Sequence, residues 1–162
     1  MPAKCLLACL ALAAGLGFPR LVAASPSAQA AAPSLAATML SLINSDRHAA
    51  GLAPLHAGRH LARLALAHSI DMADHGYFSH ITPRGASPYD RMAQAGIHFR
   101  AAGENIGVDV APSQVEELQR IEVAMLHSPE HRANLLRPTF TRVGIGIAII
   151  GDRLYLTEDF KN

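Results

Sequence analysis

Between Val143 and Ile149 the chain alternates β-branched residues with residues that carry almost no side chain: Val143, Ile145, Ile147 and Ile149 against Gly144, Gly146 and Ala148. A period of two is the mark of a strand, and Gly151-Asp152 turns the chain into a second run over residues 154–160. The expectation is a β-hairpin whose first strand is bulky on one face and bare on the other. A bare face lets a helix or a ligand approach the backbone closely.

The segments before the hairpin read mostly as helices. Leu35, Met39, Leu42 and Ile43 recur at helical spacing over residues 34–50, with Gly51 as the stop. A second helix is expected over residues 59–75, closed by Gly76, with Leu61, Leu64, Ala65 and Met72 on one stripe. Ser87 followed by Pro88 starts a short helix that Gly96 ends. Residues 102–108 read as a short strand, and Ser113-Gln114-Val115-Glu116 as a capping box for a helix reaching about residue 127. Ser128-Pro129 opens one more helical turn. Helices around a small, mainly antiparallel sheet make an α/β chain, a three-layer α-β-α sandwich.

Residues 1–30 carry the signs of a secretory signal peptide. Lys4 supplies a positive start, Cys5 to Phe18 an unbroken apolar or glycine run, and Ala28-Gln29-Ala30 a small-x-small cut site, with Val22-Ala23-Ala24 as a second. The run is shorter than the ~20 residues a spanning helix needs, so no transmembrane anchor is expected. Residues 31–37 then read as a linker and 38–162 as a single domain, secreted to the periplasm or the exterior. Both cysteines, Cys5 and Cys9, fall inside the leader, which leaves the domain without disulfides. Losing Lys4 and Arg20 from the 14 basic residues leaves 12 against 13 acidic ones. No basic field of the kind that holds nucleic acid is present.

Against this apolar background stand three polar clusters: Phe78-Ser79-His80, Gly103-Glu104-Asn105-Ile106, and Ser128-Pro129-Glu130-His131-Arg132-Ala133-Asn134. His80 lies on a loop punctuated by Pro83 and Gly85, and His131 in the first turn of a helix, where the helix dipole favours the neutral ring. Taken singly, His131 reads equally as a surface histidine beside Glu130. Glu104, set between apolar residues, needs partners if buried, and two histidines would supply them. His68 falls on an apolar stripe as a core residue, while His48, His56 and His60 read as solvated. His127 and His131 have the spacing of a metal pair, but Ser128-Pro129 breaks the helix between them. H-E-x-x-H, G-x-S-x-G and glycine-rich phosphate loops are all missing from the sequence.

Taken together, the clusters resemble the CAP superfamily of cysteine-rich secretory proteins, antigen 5 and pathogenesis-related 1 proteins, in its bacterial, disulfide-free form. The likeness extends over Leu42-Ile43-Asn44 with Arg47, Gly51 to Leu55, Asp71-Met72-Ala73, Arg91 to Gly96, His127 to Leu136 and Val143 to Gly146. It implies an α-β-α sandwich with a central cleft in which two histidines and two acids meet. His80, Glu104 and His131 match three of these positions; Glu122 and Ser128 are approximate fits for the fourth, and Met125 stands where a tryptophan is usual.

The resemblance implies a binding protein more than an enzyme. The expected function is an exported module whose cleft holds a divalent metal on His80 and His131, with Glu104 as a nearby ligand or support. Zn²⁺ is the foremost expectation, with Ca²⁺ or Mg²⁺ as alternatives, beside a lipid, glycan, cell-wall or protein ligand. The competing expectation is a metal-dependent peptidase or cell-wall hydrolase with Glu104 as general base. A third is a purely structural clasp.

Overall fold

The computed structural model describes residues 28–31, 33–110 and 113–162. The expected leader, residues 1–30, lies outside them except for residues 28–30, as do both cysteines. The elements run β1 (Gln29–Ala30), α1 (Pro33–Ala49), β2 (His56–Ala57), α2 (Arg59–His75), α3 (Pro88–Gln94), β3 (Ala102–Val110), α4 (Gln114–His127), α5 (Pro129–Leu135), β4 (Arg142–Ile150) and β5 (Arg153–Lys161). Residues 33–37, read as linker, are thus the start of α1.

The expected hairpin is β4 and β5, antiparallel, with Gly151 at a positive φ of 61° in its turn. Strand β3 pairs with the other edge of β5, giving the order β1-β4-β5-β3. Two-residue strands that the sequence does not announce line the outer edge of β4: β1 antiparallel at Ala148 and Ile149, and β2 parallel at Arg142 and Val143.

The two faces of the hairpin are packed differently. Val143, Ile145 and Ile147 of β4 and Leu154, Leu156 and Phe160 of β5 join Met39 and Ile43 of α1, Leu118 and Met125 of α4 and Leu135 of α5 in the larger core. The bare face receives α2. A Cβ on Gly144 would stand 2.1 Å from the Leu61 carbonyl carbon, and one on Gly146 2.0 Å from the Leu66 nitrogen. Helix and strand therefore meet backbone to backbone. Ser69 seals the seam, its Oγ 3.0 Å from Gly146 O and 2.8 Å from Thr157 Oγ1. Three layers result, α2 on one side of the sheet and α1, α4 and α5 on the other, as the α/β sandwich expectation required.

Helix α2 also fixes the loop after it. Gly76 caps the helix in the left-handed conformation, its N–H returning to Met72 O. Buried His68 holds the loop through Nε2, 3.0 Å from Ser79 O, and Tyr77 Oη donates to Asp71 Oδ2 at 2.5 Å. The loop bearing His80 is thus tied to the helix twice. Ser87 caps α3 as expected, accepting from Asp90 N while Asp90 Oδ2 accepts from Ser87 N. The capping box expected at Ser113 does not form, and Ser113 makes no side-chain cap bond. That end of α4 lies at the surface, Gln114 and Glu116 being exposed, so its first N–H groups do not depend on a side-chain cap.

Gly146→Ala should destabilise the fold by about 3 kcal/mol or more, because backbone rather than a flexible side chain occupies the space of the added methyl. Urea denaturation followed by circular dichroism measures it; a loss below about 1 kcal/mol would mean that the seam can open.

Candidate functional site

Glu104 lies in the middle of the site. It sits on β3 directly opposite Asp159 of β5, on the α2 side of the sheet, with its side chain only 1% exposed. A carboxylate so buried needs counter-charge and donors. Both of its oxygens are engaged. His80 Nδ1 lies 2.7 Å from Oε1, and the Arg91 guanidinium pairs with Oε2 through Nη2. Arg91 also donates through Nη1 to His80 O at 2.8 Å and to Ala86 O at 3.3 Å, so one side chain neutralises the acid and holds the histidine loop.

One expectation changes here. The partners of Glu104 are one histidine and one arginine, not two histidines. In the sequence Arg91 stands out only as part of a motif, because a cation on a seven-residue helix ordinarily points to solvent; the acid 13 residues on is the signal that it turns inward.

His131 reaches the same cleft from α5. Its Nδ1 lies 2.8 Å from Ser128 Oγ, so the Ser128 hydroxyl serves the imidazole and makes no side-chain bond to the helix end. Burial is the main cause that lowers the His131 pKa; the nearby His80 lowers it further and Glu130 opposes both. The neutral ring expected from the helix dipole is therefore favoured chiefly by desolvation. His127, by contrast, is exposed and turns back on its own helix, with Nδ1 2.7 Å from Val123 O.

A pair of asparagines fastens β3 to α5. Asn105 Nδ2 donates to His131 O and to Glu158 Oε2, each at 3.2 Å, while Asn134 Nδ2 donates to Asn105 Oδ1 at 2.9 Å and to Glu104 O at 3.2 Å. Gly103 leaves the room Asn134 needs, a Cβ there standing 2.5 Å from its Oδ1. The cleft, of about 370 Å³, is lined by His80, Glu104 and His131, with Glu130, Ile81 and Tyr89 also in its lining. Since Nδ1 of each histidine is engaged, Nε2 is the nitrogen each has left for a ligand.

The fourth acidic position is not filled by either residue considered for it. Ser128 offers a hydroxyl, and Glu122 of α4 is buried on the opposite side of the sheet, beside Glu158 and Asp46. The acid that does line the cleft is Glu130. Burial, then the charge of Glu158, then contact with Asp46 push the Glu122 carboxyl up to about 9; burial pushes Glu158 up to about 8, partly offset by Asn105. Asp159 is raised as well, by burial and by the Glu104 charge next to it.

These features can be set beside known proteins. The sequence profile of the cysteine-rich secretory protein family, CAP, matches residues 40–160. The chain belongs to the CAP family. Among curated relatives, YkwD of Bacillus subtilis, described as uncharacterised, is 38% identical over 109 residues, 67% of this chain and 40% of that protein. The CAP chain thus spans well under half the length of that relative. Among solved structures, an extracellular SCP-domain protein of Bacillus anthracis superposes with a TM-score of 0.66 at 32% identity, covering 78% of this chain and 39% of that one. An outer surface protein of Borrelia burgdorferi gives 0.74 at 18% identity over 83% of this chain and 97% of that one, a likeness of fold alone. No helix among the described residues of this CAP chain is long and apolar enough to cross a membrane.

Two outcomes are expected for the site. Arg91→Ala strands a buried carboxylate and should cost about 3 kcal/mol or more, read by urea denaturation, where an exposed arginine would cost under about 0.5. Glu158 keeps its proton in the fold up to about pH 8 but loses it near 4.5 when unfolded. Stability should therefore fall as pH rises through that window, by up to about 1.4 kcal/mol per unit. Glu158→Gln, which still accepts from Asn105, should lessen the decline in denaturation curves at pH 5 to 8, to which Glu122 and Asp159 also contribute; an unchanged slope would show that the fold does not hold the Glu158 proton.

Proposed function

We propose that this CAP chain is an exported, non-catalytic binding module whose cleft takes a divalent metal on His80 and His131 together with an envelope or extracellular ligand. The observation that carries the reading is the state of Glu104. An acid 1% exposed, with one oxygen on a guanidinium and the other on an imidazole, is poorly placed to take a proton from water. Its position suits a different role: it holds His80 from behind, as a carboxylate commonly orients a metal-binding histidine.

The residues fit such a metal as an open site. No group of three histidine, cysteine or acidic side chains among the described residues is arranged to hold a metal, so the protein would supply the two imidazoles and leave the other positions to water or ligand. Imidazole donors suit Zn²⁺ better than Ca²⁺ or Mg²⁺, which take oxygen ligands. The bound metal would supply a Lewis-acid contact for a ligand oxygen. The ligand, of lipid, glycan, cell-wall or protein chemistry, would meet Ile81 and Tyr89 on one side and Asn105 and Asn134 on the other. The leader reading supports export, and the Bacillus anthracis protein, described as extracellular, is consistent with it.

Calorimetric titration of the chain with Zn²⁺ should give one site, weakened at least tenfold in the His80→Ala, His131→Ala double variant and weakened on acidification from pH 7 to 5, since a protonated imidazole cannot ligate. Undiminished binding in the variant would overturn the metal reading. Zn²⁺-dependent cleavage of peptide or peptidoglycan substrates, abolished by Glu104→Gln, would overturn the non-catalytic one.

A further inference from the structure

A second cavity, of about 370 Å³, opens at the other end of α2, where that helix starts beside the ends of β4 and β5. Its polar lining is cationic or potentially so: Arg59 and His60 from α2, His98 from the loop before β3, Arg142 from β4 and Lys161 from β5. Leu61 and Ile97 contribute apolar surface. Among the described residues no acidic side chain lines it, and no ion pair involves Arg59, Arg142 or Lys161.

The arrangement works against stability in the absence of an anion. Arg142 and Lys161 are direct cross-strand partners. Strand alternation puts both on the α2 face, Arg142 in phase with Gly144 and Gly146, Lys161 in phase with Thr157 and Asp159. Like charges directly opposite on neighbouring strands repel. Lys161 is held in place by donating to His98 O at 2.5 Å, a contact that fixes its ammonium without neutralising it. Independently, α2 begins on Gly58 with no side-chain cap and no acid in its first turn, and Arg59 adds positive charge where the dipole is already positive. Local arrangements that oppose stability in concert mark functional positions.

We propose that this cavity is an oxyanion site that takes a phosphate group between Arg142, Lys161 and Arg59, with the first N–H groups of α2 as further donors. One phosphate turns the cross-strand repulsion into two charge-assisted contacts, with Arg142 able to engage two oxygens at once. The cavity exceeds the space of one water, about 30 Å³, more than tenfold, so the phosphate can carry a substituent against Leu61 and Ile97. The site is separate from the His80 cleft and does not depend on the metal reading.

The test is calorimetric titration of the full chain with inorganic phosphate, against chloride at equal ionic strength, with thermal melting in parallel. One saturable site and a rise in Tm are expected, with binding at least tenfold weaker in the Arg142→Ala, Lys161→Ala double variant. Lys161→Glu separates binding from folding: it sets a carboxylate opposite Arg142, so it should keep or raise the Tm without phosphate and abolish the phosphate response. Co-sedimentation with phosphatidylglycerol vesicles, but not phosphatidylcholine, competed by phosphate, would identify a lipid headgroup as the source; phosphate binding without vesicle binding would identify a soluble phosphate. Either supports the site. No phosphate-specific binding, or binding undiminished in these variants, overturns it.

Discussion

Helix α2 rests backbone to backbone on β4, and the rest of the molecule is arranged around that contact. Gly144 and Gly146 permit it; the β-branched residues between them send their bulk to the opposite face, where α1, α4 and α5 bury it. With α2 held this closely, its two ends become fixed points. The C-terminal end releases the loop that carries His80, tied back through His68 and Tyr77, and the N-terminal end meets the cationic ends of β4 and β5. Packing precision thus becomes placement of chemistry, since a side chain can be positioned only as well as the backbone behind it.

The cleft obeys a similar logic with charge. A carboxylate set into a sheet ladder is costly unless donors surround it, and Glu104 has Arg91 and His80 for that purpose. The arginine needed for neutrality also bonds the carbonyl of His80. Electrostatic compensation and loop geometry are therefore one interaction, and the cleft can keep its shape without a disulfide across it.

How much of this is legible in the sequence depends on how local the cause is. The hairpin, α2 with its glycine cap and the Ser87 cap are written in short windows, where periodicity and turn chemistry act. His80, Glu104 and His131 are legible as a set because polar residues among apolar ones are conspicuous. The two-residue strands β1 and β2 are not legible, having too few residues to show a period. The burial of Glu158 and Asp159 is hidden for another reason: in a strand with one face to solvent, alternate acids would be wet, but β5 is covered on both sides, so adjacent acids are buried in different layers. That depends on neighbours contributed by distant parts of the chain. Arg91 and Ser128 are similar, each diverted from an ordinary surface or capping role by a side chain that tertiary structure brings near.

Strand β1 gives the amino-terminal segment a role as a guard. Gln29 and Ala30 cover the outer edge of β4 at Ala148 and Ile149, and Ala28 N–H is anchored to Asp74 Oδ1 at 2.6 Å. An open, apolar strand edge invites pairing with another chain. A cut after Ala24 would leave this cover in place, whereas one after Ala30 would uncover part of β4, so where the chain is processed would also decide how readily its molecules stick to one another.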